Sequence, residues 1–437
     1  MEWRRLFKEH ITIRLSKMDA ILEVLGLNGA VFDSGINMPY FGDTQTAPFR
    51  VSPHFAHFCP ARGDGHLLHI QKGKKPLLYY FSPEDFWYEH IKLGDSYWTS
   101  EFDIIEKGTD EDIWKSVGFP QNTAYYGPNR EKAESIGLKT EVPTFMERLN
   151  WERSFKTPYE VKCIEEAAKI ASRGHKAAKQ CFDNGGSELE IYYAYLRGAR
   201  LDGSDLPYGA IVALNEKSAI LHYPNKRDHV DRAQVLLVDA GAYYQGYAAD
   251  ITRTYANGSA PSEFKKLIRD MDELQQKLCS RVVPGILFSE LHHEFHKGLA
   301  TLLLANGIIA NCSEETALND RYTYAFCPHG LGHMLGIQTH DVAGHQKDPI
   351  GNKCDGDERY PKLRTTRMLE LGFLLTIEPG LYFIEMLLAP FRNDTKHKRN
   401  FNWSLIDKLA PCGGIRIEDD IYITEKGPVN LTRGLLV

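Results

Sequence analysis

The chain has 437 residues, 43% of them hydrophobic and 25% charged, with a formal net charge of −6. That length exceeds one compact core of ordinary size and calls for two domains, in a composition typical of soluble globular proteins without low-complexity tracts. No surplus of Lys and Arg is present to neutralise a phosphate backbone, which argues against nucleic acid, and no run of about eighteen apolar residues is present to span a bilayer. The charged N-terminus does not read as a secretory signal, so no membrane association and a cytoplasmic location are expected. The eight cysteines lie far apart without a C-x-x-C pair, as expected of reduced and mostly buried thiols.

In chain order, Leu6, Ile13, Met18, Ile21, Leu22 and Leu25 follow helical spacing. AVFDSG reads as a short strand, and HLLHIQKGKKPLLYYF as a hairpin turned at Gly73-Lys74-Lys75. Residues 1–155 are therefore expected to form a mixed α/β domain. A boundary follows, because Thr157, Pro158 and Glu160 make a capping box with proline at the first helical position. A second box, Ser187 to Glu190, opens another helix after the break at Gly185-Gly186.

IVALNEKSAILHY and QVLLVDAGAYYQGYAADITRTY are rich in β-branched and aromatic residues and are expected to pair as antiparallel strands. Helices are predicted from about Ser262 to Ser280 and from Ser289 to Ala305, with a strand-rich stretch from Arg321 onward. Residues 156–437 thus read as an α+β domain.

Three carboxylates lie inside apolar runs: Asp239 in VLLVDAG, Glu378 in LLTIEPG and Glu418 in GGIRIEDD. Asp250, in YAADITRTY, follows Asp239 at a separation that a hairpin can close. Each alone also reads as an edge-strand residue facing water. Gathered together they would repel one another unless cations lay among them, and a carboxylate-rich set with one imidazole suits hard or borderline divalent ions.

The stretch CPHGLGHMLGIQTHD supplies that imidazole. His329 and His333 are four apart, as in a helical zinc motif, but no glutamate follows His329 and Gly330, Gly332 and Gly336 disfavour a helix, so a loop and strand are expected. His292, His293 and His296 in LHHEFH lie on an amphipathic helix beside Leu291 and Phe295 and read as structural residues rather than a metal cluster.

With VDAG, ADITRT, PHGLGHMLGIQTHD, TIEPGLYF and GGIRIEDD in order, the chain resembles the metal-dependent proline peptidases of the pita-bread fold, most closely the bacterial Xaa-Pro dipeptidases, or prolidases. The likeness covers roughly residues 155 to 437, while PYFGDTQTAPFRVSPHFAHFCP and LAPFRNDTKHKRNFNW look like segments of bacterial prolidases rather than of methionine aminopeptidase. It implies a C-terminal pita-bread (creatinase/aminopeptidase-like) domain behind a smaller N-terminal α/β domain.

The resemblance further implies two divalent ions per subunit, Mn2+ before Co2+ or Zn2+, held by Asp239, Asp250, His333, Glu378 and Glu418. Asp250 and Glu418 would bridge, Asp239 serving one ion and His333 with Glu378 the other. Tyr208, His222, His329, His340 and Arg416 match substrate-contacting positions. The implied reaction is hydrolysis of Xaa-Pro dipeptides by a hydroxide shared between the ions. Glu378 would move the proton, His329 would donate to the oxyanion, and Arg416 with His222 would hold the proline carboxylate. A plain salt bridge orienting Glu418 is the alternative for Arg416.

A small peptide is the expected partner and a homodimer the implied assembly, with organophosphate triester hydrolysis as a side activity. Two positions depart from the pattern. Gly42-Asp43-Thr44 stands where relatives carry two acidic residues, the second of which meets the substrate amine in a neighbouring subunit's pocket, and Phe288 stands where a tyrosine is expected near the leaving group. Rival readings are an aminopeptidase P-like enzyme acting on longer Xaa-Pro peptides and a non-catalytic peptide-binding relative.

Overall fold

The computed structural model describes residues 2–87, 89–90, 93–116 and 118–436, and the chain divides into two compact units. One comprises Met1–Arg153, Thr157–Glu160 and Asp348–Asn352, and the other Ser154–Lys156, Val161–Lys347 and Lys353–Val437. Among the described residues no helix is long and apolar enough to cross a membrane.

In the first unit, α1 (Glu2–Val24) buries Phe7, Ile11, Met18 and Leu22 along one face. It is followed by β1 (Gly29–Asp33), α2 (Pro53–Phe58), β2 (Leu67–Gln71), β3 (Leu77–Phe81) and β4 (Asp103–Lys107). Then come α3 (Asp110–Ser116), β5 (Thr123–Tyr126), α4 (Arg130–Ser135) and α5 (Phe145–Ser154). The sheet order is β4-β3-β2-β1-β5, with β2 and β3 forming the antiparallel hairpin read from the sequence. Gly73 supplies the positive φ of 68° that its turn requires.

The helix α6 (Pro158–Asp183) begins at the predicted capping box: the Thr157 N–H donates to Glu160 Oε2 at 2.8 Å and the Glu160 N–H to Thr157 Oγ1 at 3.5 Å. The box at Ser187 and Glu190 opens α7 (Glu188–Ala199). In the second unit there follow β6 (Ile211–Leu214), β7 (Val235–Asp239), β8 (Ala242–Tyr244), β9 (Tyr247–Ala249) and β10 (Thr252–Ala256). The sheet β10-β7-β6 is antiparallel throughout, as expected.

One expected strand is cut short. After Leu214 the chain turns into a 3₁₀ helix, Asn215–Ala219, because Asn215 takes a left-handed conformation. Its Oδ1 accepts from the Gln234 and Val235 N–H groups and so pins the start of β7. Ser218 Oγ donates to the Asn215 carbonyl.

Helices α8 (Ser262–Ser280) and α9 (Phe288–Ala305) lie close to their predicted limits, followed by α10 (Glu314–Asn319) and α11 (Tyr322–Phe326). The strand-rich stretch expected from Arg321 is corrected: among the described residues no strand occurs from Arg321 to Phe373, and β11 (Leu374–Ile377) is the next. After it come β12 (Gly380–Tyr382), α12 (Glu385–Asn393), α13 (Trp403–Leu409), β13 (Gly414–Arg416), β14 (Asp419–Thr424) and β15 (Gly427–Asn430). The LAPFRNDTKHKRNFNW segment thus starts inside α12 at Leu388 and runs to the first residue of α13, Trp403. Its Phe391, Phe401 and Trp403 pack ring against ring, and Tyr322 closes on the first two.

Candidate metal centre

Strand alternation decides where each carboxylate points. On β7, Leu236 and Val238 pack with Phe182, Ile191 and Tyr195 of α6 and α7, whereas Leu237 belongs to a separate cluster with Ile211 and Tyr223. Asp239 shares the parity of Leu237, so it faces away from α6 and α7. The β7–β10 pairing sets Asp239 opposite Thr252, which brings Asp250 back alongside it. On the segment entering β14, Ile417, Ile421 and Ile423 sit in the main core, and Glu418 and Asp420 have the opposite parity.

The glycine-rich loop runs antiparallel to β11 without forming a helix. Leu335 N–H donates to the Leu374 carbonyl at 3.0 Å, Thr376 N–H to the His333 carbonyl at 2.9 Å, and Glu378 N–H to the Leu331 carbonyl at 2.8 Å. Gly332 is required by this approach, since a Cβ there would collide with the Thr376 carbonyl oxygen. The far end of the loop is held by Lys156, whose Nζ lies 3.0 Å from Asp341 Oδ2 in an almost wholly buried pair.

Together these elements bring ligand atoms of Asp250, His333 and Glu418 within 4.8 Å of one another. His333 Nε2 lies 3.6 Å from Asp250 Oδ2 and 3.6 Å from Glu378 Oε1. Its Nδ1 donates to the Met334 carbonyl at 3.0 Å, which fixes the tautomer and leaves Nε2 as a bare lone pair facing the carboxylates. Burial, then His340, lowers the His333 pKa to about 3, so the ring stays neutral.

The carboxylates carry the complementary strain. Burial, then Asp239 and Glu378, pushes Asp250 well above its ordinary range, and burial, then Asp250 and Glu378, does the same to Glu418. Glu378 rises to about 7, chiefly through burial. Asp239 Oδ1 is buried without a hydrogen-bond partner among the described residues. An orphaned carboxylate oxygen, a bare imidazole nitrogen and crowded carboxylates are what a divalent ion relieves, so the residues fit such a group.

Asp239 is not among the three closest donors; it faces Arg416, whose Nη2 donates to its Oδ2 at 2.6 Å. The salt bridge considered for Arg416 is therefore made with Asp239 rather than Glu418. Arg416 also donates from Nε to Thr252 Oγ1 at 3.2 Å and from Nη1 to Tyr382 Oη at 2.9 Å. Thr252 in turn donates to Glu418 Oε2 at 2.5 Å.

His329 does not have the free donor expected of it. Its Nδ1 donates to the Gly330 carbonyl at 2.7 Å, and its Nε2 lies 2.9 Å from Tyr382 Oη. Burial, then Arg416, lowers its pKa to about 4, so Nε2 is unprotonated and accepts from Tyr382. His340, by contrast, is exposed, sets its ring edge-on to His333 at 4.4 Å and makes no side-chain hydrogen bond among the described residues.

Tyr208 donates to Asp250 Oδ1, and its hydroxyl is pushed well above its ordinary pKa by burial, then by Asp239 and Asp250. His222 is exposed. His292 and His296 are buried and packed against Tyr360, His296 bonding Thr323, as structural residues should be. Phe288 is wholly buried in the main core rather than lining a pocket. Gly42, Asp43 and Thr44 form an exposed turn in which Asp43 Oδ1 accepts from the Thr44 and Gln45 N–H groups. Sequence reasoning missed Tyr382, Thr252 and Arg253; Tyr382 lies in the TIEPGLYF motif itself, while the other two follow Asp250 in ADITRT.

The profile of metallopeptidase family M24 matches residues 162–425, and that of the Xaa-Pro dipeptidase N-terminal domain matches 5–151. The chain is 41% identical to a Xaa-Pro dipeptidase of Proteus mirabilis and 39% to one of Erwinia tasmaniensis, each over 98% of both chains. Among solved structures it is similar to zinc-substituted Escherichia coli aminopeptidase P in complex with product (TM-score 0.71, 22% identity, 99% of this chain and 95% of that one). It is likewise similar to proline aminopeptidase P II from Yersinia pestis (0.73, 21%, 99% and 96%). The fold is the pita-bread fold with an N-terminal domain, and a metallopeptidase family implies divalent metal ions. The chain belongs to metallopeptidase family M24 and carries the N-terminal domain of the Xaa-Pro dipeptidases.

Proposed function

We propose that this chain hydrolyses Xaa-Pro dipeptides and releases proline, with two divalent ions held by Asp239, Asp250, His333, Glu378 and Glu418. The observation that carries the reading is the convergence of Asp250, His333 and Glu418, with Glu378 against His333, in a chain 41% identical to a Xaa-Pro dipeptidase. Manganese is the ion assigned, cobalt or zinc fitting the same donors. Kinship with bacterial prolidases supports a cytoplasmic homodimer as the working form.

When bound, such ions lower the pKa of water and polarise a carbonyl. The chain's own residues do the rest. A bond to proline nitrogen is a tertiary amide, which offers no N–H to a strand-like cleft and leaves only if its nitrogen is protonated. Glu378, set against His333 at 3.6 Å, takes the proton of the attacking water and returns it to that nitrogen. His340 is the free imidazole that can donate to the carbonyl oxygen, a role the Tyr382 bond withholds from His329. Arg416 aligns Asp239 and presents positive charge to the proline carboxylate, with His222 as a further donor to it. Tyr208 orients Asp250.

Proline release from a panel of Xaa-Pro dipeptides, with and without chelator and added manganese, tests the reading. Ala-Pro should be cleaved and Ala-Pro-Ala refused; preference for the tripeptide would move the assignment to an aminopeptidase P, and release unaffected by complete metal removal would reject it.

A further inference from the structure

Arg433 lies in the C-terminal segment, outside every motif that carries the proposed ligands. Its Nε donates to Asp419 Oδ2 at 2.9 Å, its Nη2 to Gln275 Oε1 at 2.6 Å, and its Nη1 to Asp272 Oδ1 at 2.8 Å. Asp419 is wholly buried and gathers three more donors: Arg253 Nη2 at 2.5 Å, Thr432 Oγ1 at 2.7 Å and Gln275 Nε2 at 3.0 Å. Two of these partners are tied in turn to a ligand-bearing backbone. Gln275 Nε2 also reaches the Ile377 carbonyl at 3.2 Å, next to Glu378. Arg253 Nη1 donates to the Glu418 carbonyl at 2.6 Å and to the Thr252 carbonyl at 2.9 Å.

We propose that Arg433 is a positioning residue for the metal centre, holding the backbones that carry Glu378 and Glu418 in register by fixing Gln275 and Asp419 together. The inference rests on the reading of those two glutamates as ligands. Without Arg433, the Gln275 amide loses the contact that orients its oxygen and is free to turn away from the Ile377 carbonyl. Asp419, an anion with no access to water, then draws on Arg253 alone among its cations and pulls on the group bonded to the Glu418 carbonyl. Partners bonded directly to a metal's ligands typically change its affinity by about 10- to 100-fold when deleted, and Arg433 stands one bond further out, acting through Gln275 and Asp419. The guanidinium fork matters, because three partners are met by three different nitrogens.

The test is calorimetric titration of manganese chloride into the chelator-stripped full-length protein, beside its melting temperature and kinetics on Ala-Pro. Arg433→Ala should weaken manganese binding by up to about 10-fold, the lower end of the range for groups bonded to the ligands themselves. Arg433→Lys should recover part of that loss, and kcat should fall more than KM rises at saturating metal. Arg392→Ala, which removes ion pairs with Asp407 and Glu385 and the guanidinium's contact with the Trp403 ring but touches none of the proposed ligands, serves as the control and should bind as the unaltered protein does. Manganese affinity unchanged in Arg433→Ala, or weakened equally in Arg392→Ala, overturns the proposal. Should Arg433→Ala not fold, Arg433→Lys is read alone, and an affinity equal to that of the unaltered protein overturns it. Failure of the unaltered protein to bind manganese, cobalt or zinc would instead bring down the metal reading itself, and this inference with it.

Discussion

Arg416 Nη2 donates to Asp239 Oδ2 at 2.6 Å, and the other oxygen of that carboxylate is left buried without a partner among the described residues. One oxygen is thereby aimed and the other kept available. Arg416→Ala leaves Asp239 without its counter-charge and removes one bond each from Thr252 and Tyr382. Arg416→Lys restores the charge but not three separate nitrogens. Both variants should lose at least about 100-fold in kcat/KM on Ala-Pro, equivalent to roughly 3 kcal/mol of transition-state stabilisation. A lysine variant within threefold of the parent would show that charge alone suffices.

The place of His333 depends on a residue without a side chain. A methyl group on Gly332 would meet the Thr376 carbonyl oxygen, so Gly332→Ala must push the loop off β11 and carry His333 with it. Overpacking of this kind costs typically about 1–3 kcal/mol. Melting should drop by several degrees, and manganese binding should weaken further than the stability loss explains. Gly356→Ala makes a fair comparison, since nothing lies within 4 Å of a Cβ built there. Normal metal affinity in Gly332→Ala would show that the loop can yield without moving the imidazole.

Much of this was legible in the sequence because it depends on local chemistry. The capping boxes at Thr157 and Ser187, the turn at Gly73 and the return of Asp250 to Asp239 all follow from spacing within about a dozen residues. The carboxylates were found by their incongruity in apolar strands. What could not be read depends on partners far along the chain. Asn215 breaks its strand in order to pin Gln234 and Val235. The run from Arg321 to Phe373 looks strand-like but mostly packs as loop against other segments. His329 loses its expected donor role because Tyr382, fifty-three positions away, occupies its Nε2.

Chelation should remove more than activity. With no cation present, Asp250 is driven toward the protonated form by burial, then Asp239 and Glu378, and Glu418 by burial, then Asp250 and Glu378, and folding must bear that cost. A ligand that binds only the folded state stabilises it by about 2.7 kcal/mol at a hundredfold excess over Kd. Manganese added to stripped protein should therefore raise the melting temperature in a concentration-dependent way, with smaller shifts for Glu418→Gln and His333→Ala. An identical shift in those variants would place the ion elsewhere.

The N-terminal unit contains its own acid-sensitive point. His10 and His57 are wholly buried, and burial first of all lowers their pKa values from 6.5 to about 4 and about 3, Arg14 adding to the effect and Glu160 opposing it. Burial would raise Glu160, but Arg14, at 2.6 Å, then His57 and His10, hold it well below the ordinary value of 4.5. All three groups act in the same direction. Below pH 6.5 the unfolded chain protonates its histidines while the folded one does not until about pH 4 to 3, so stability falls across that window. Glu160 contributes stability above pH 4.5 that is lost as its folded carboxylate is finally protonated. Urea midpoints followed by tryptophan fluorescence should decline steadily from about pH 7 to about pH 4. His57→Gln should flatten that decline throughout, and Glu160→Gln should lower the midpoint near neutral pH, since breaking a buried ion pair costs about 3–5 kcal/mol. A midpoint for His57→Gln that tracks the parent at every pH would remove His57 from the account and leave Glu160 as the origin of any acid loss.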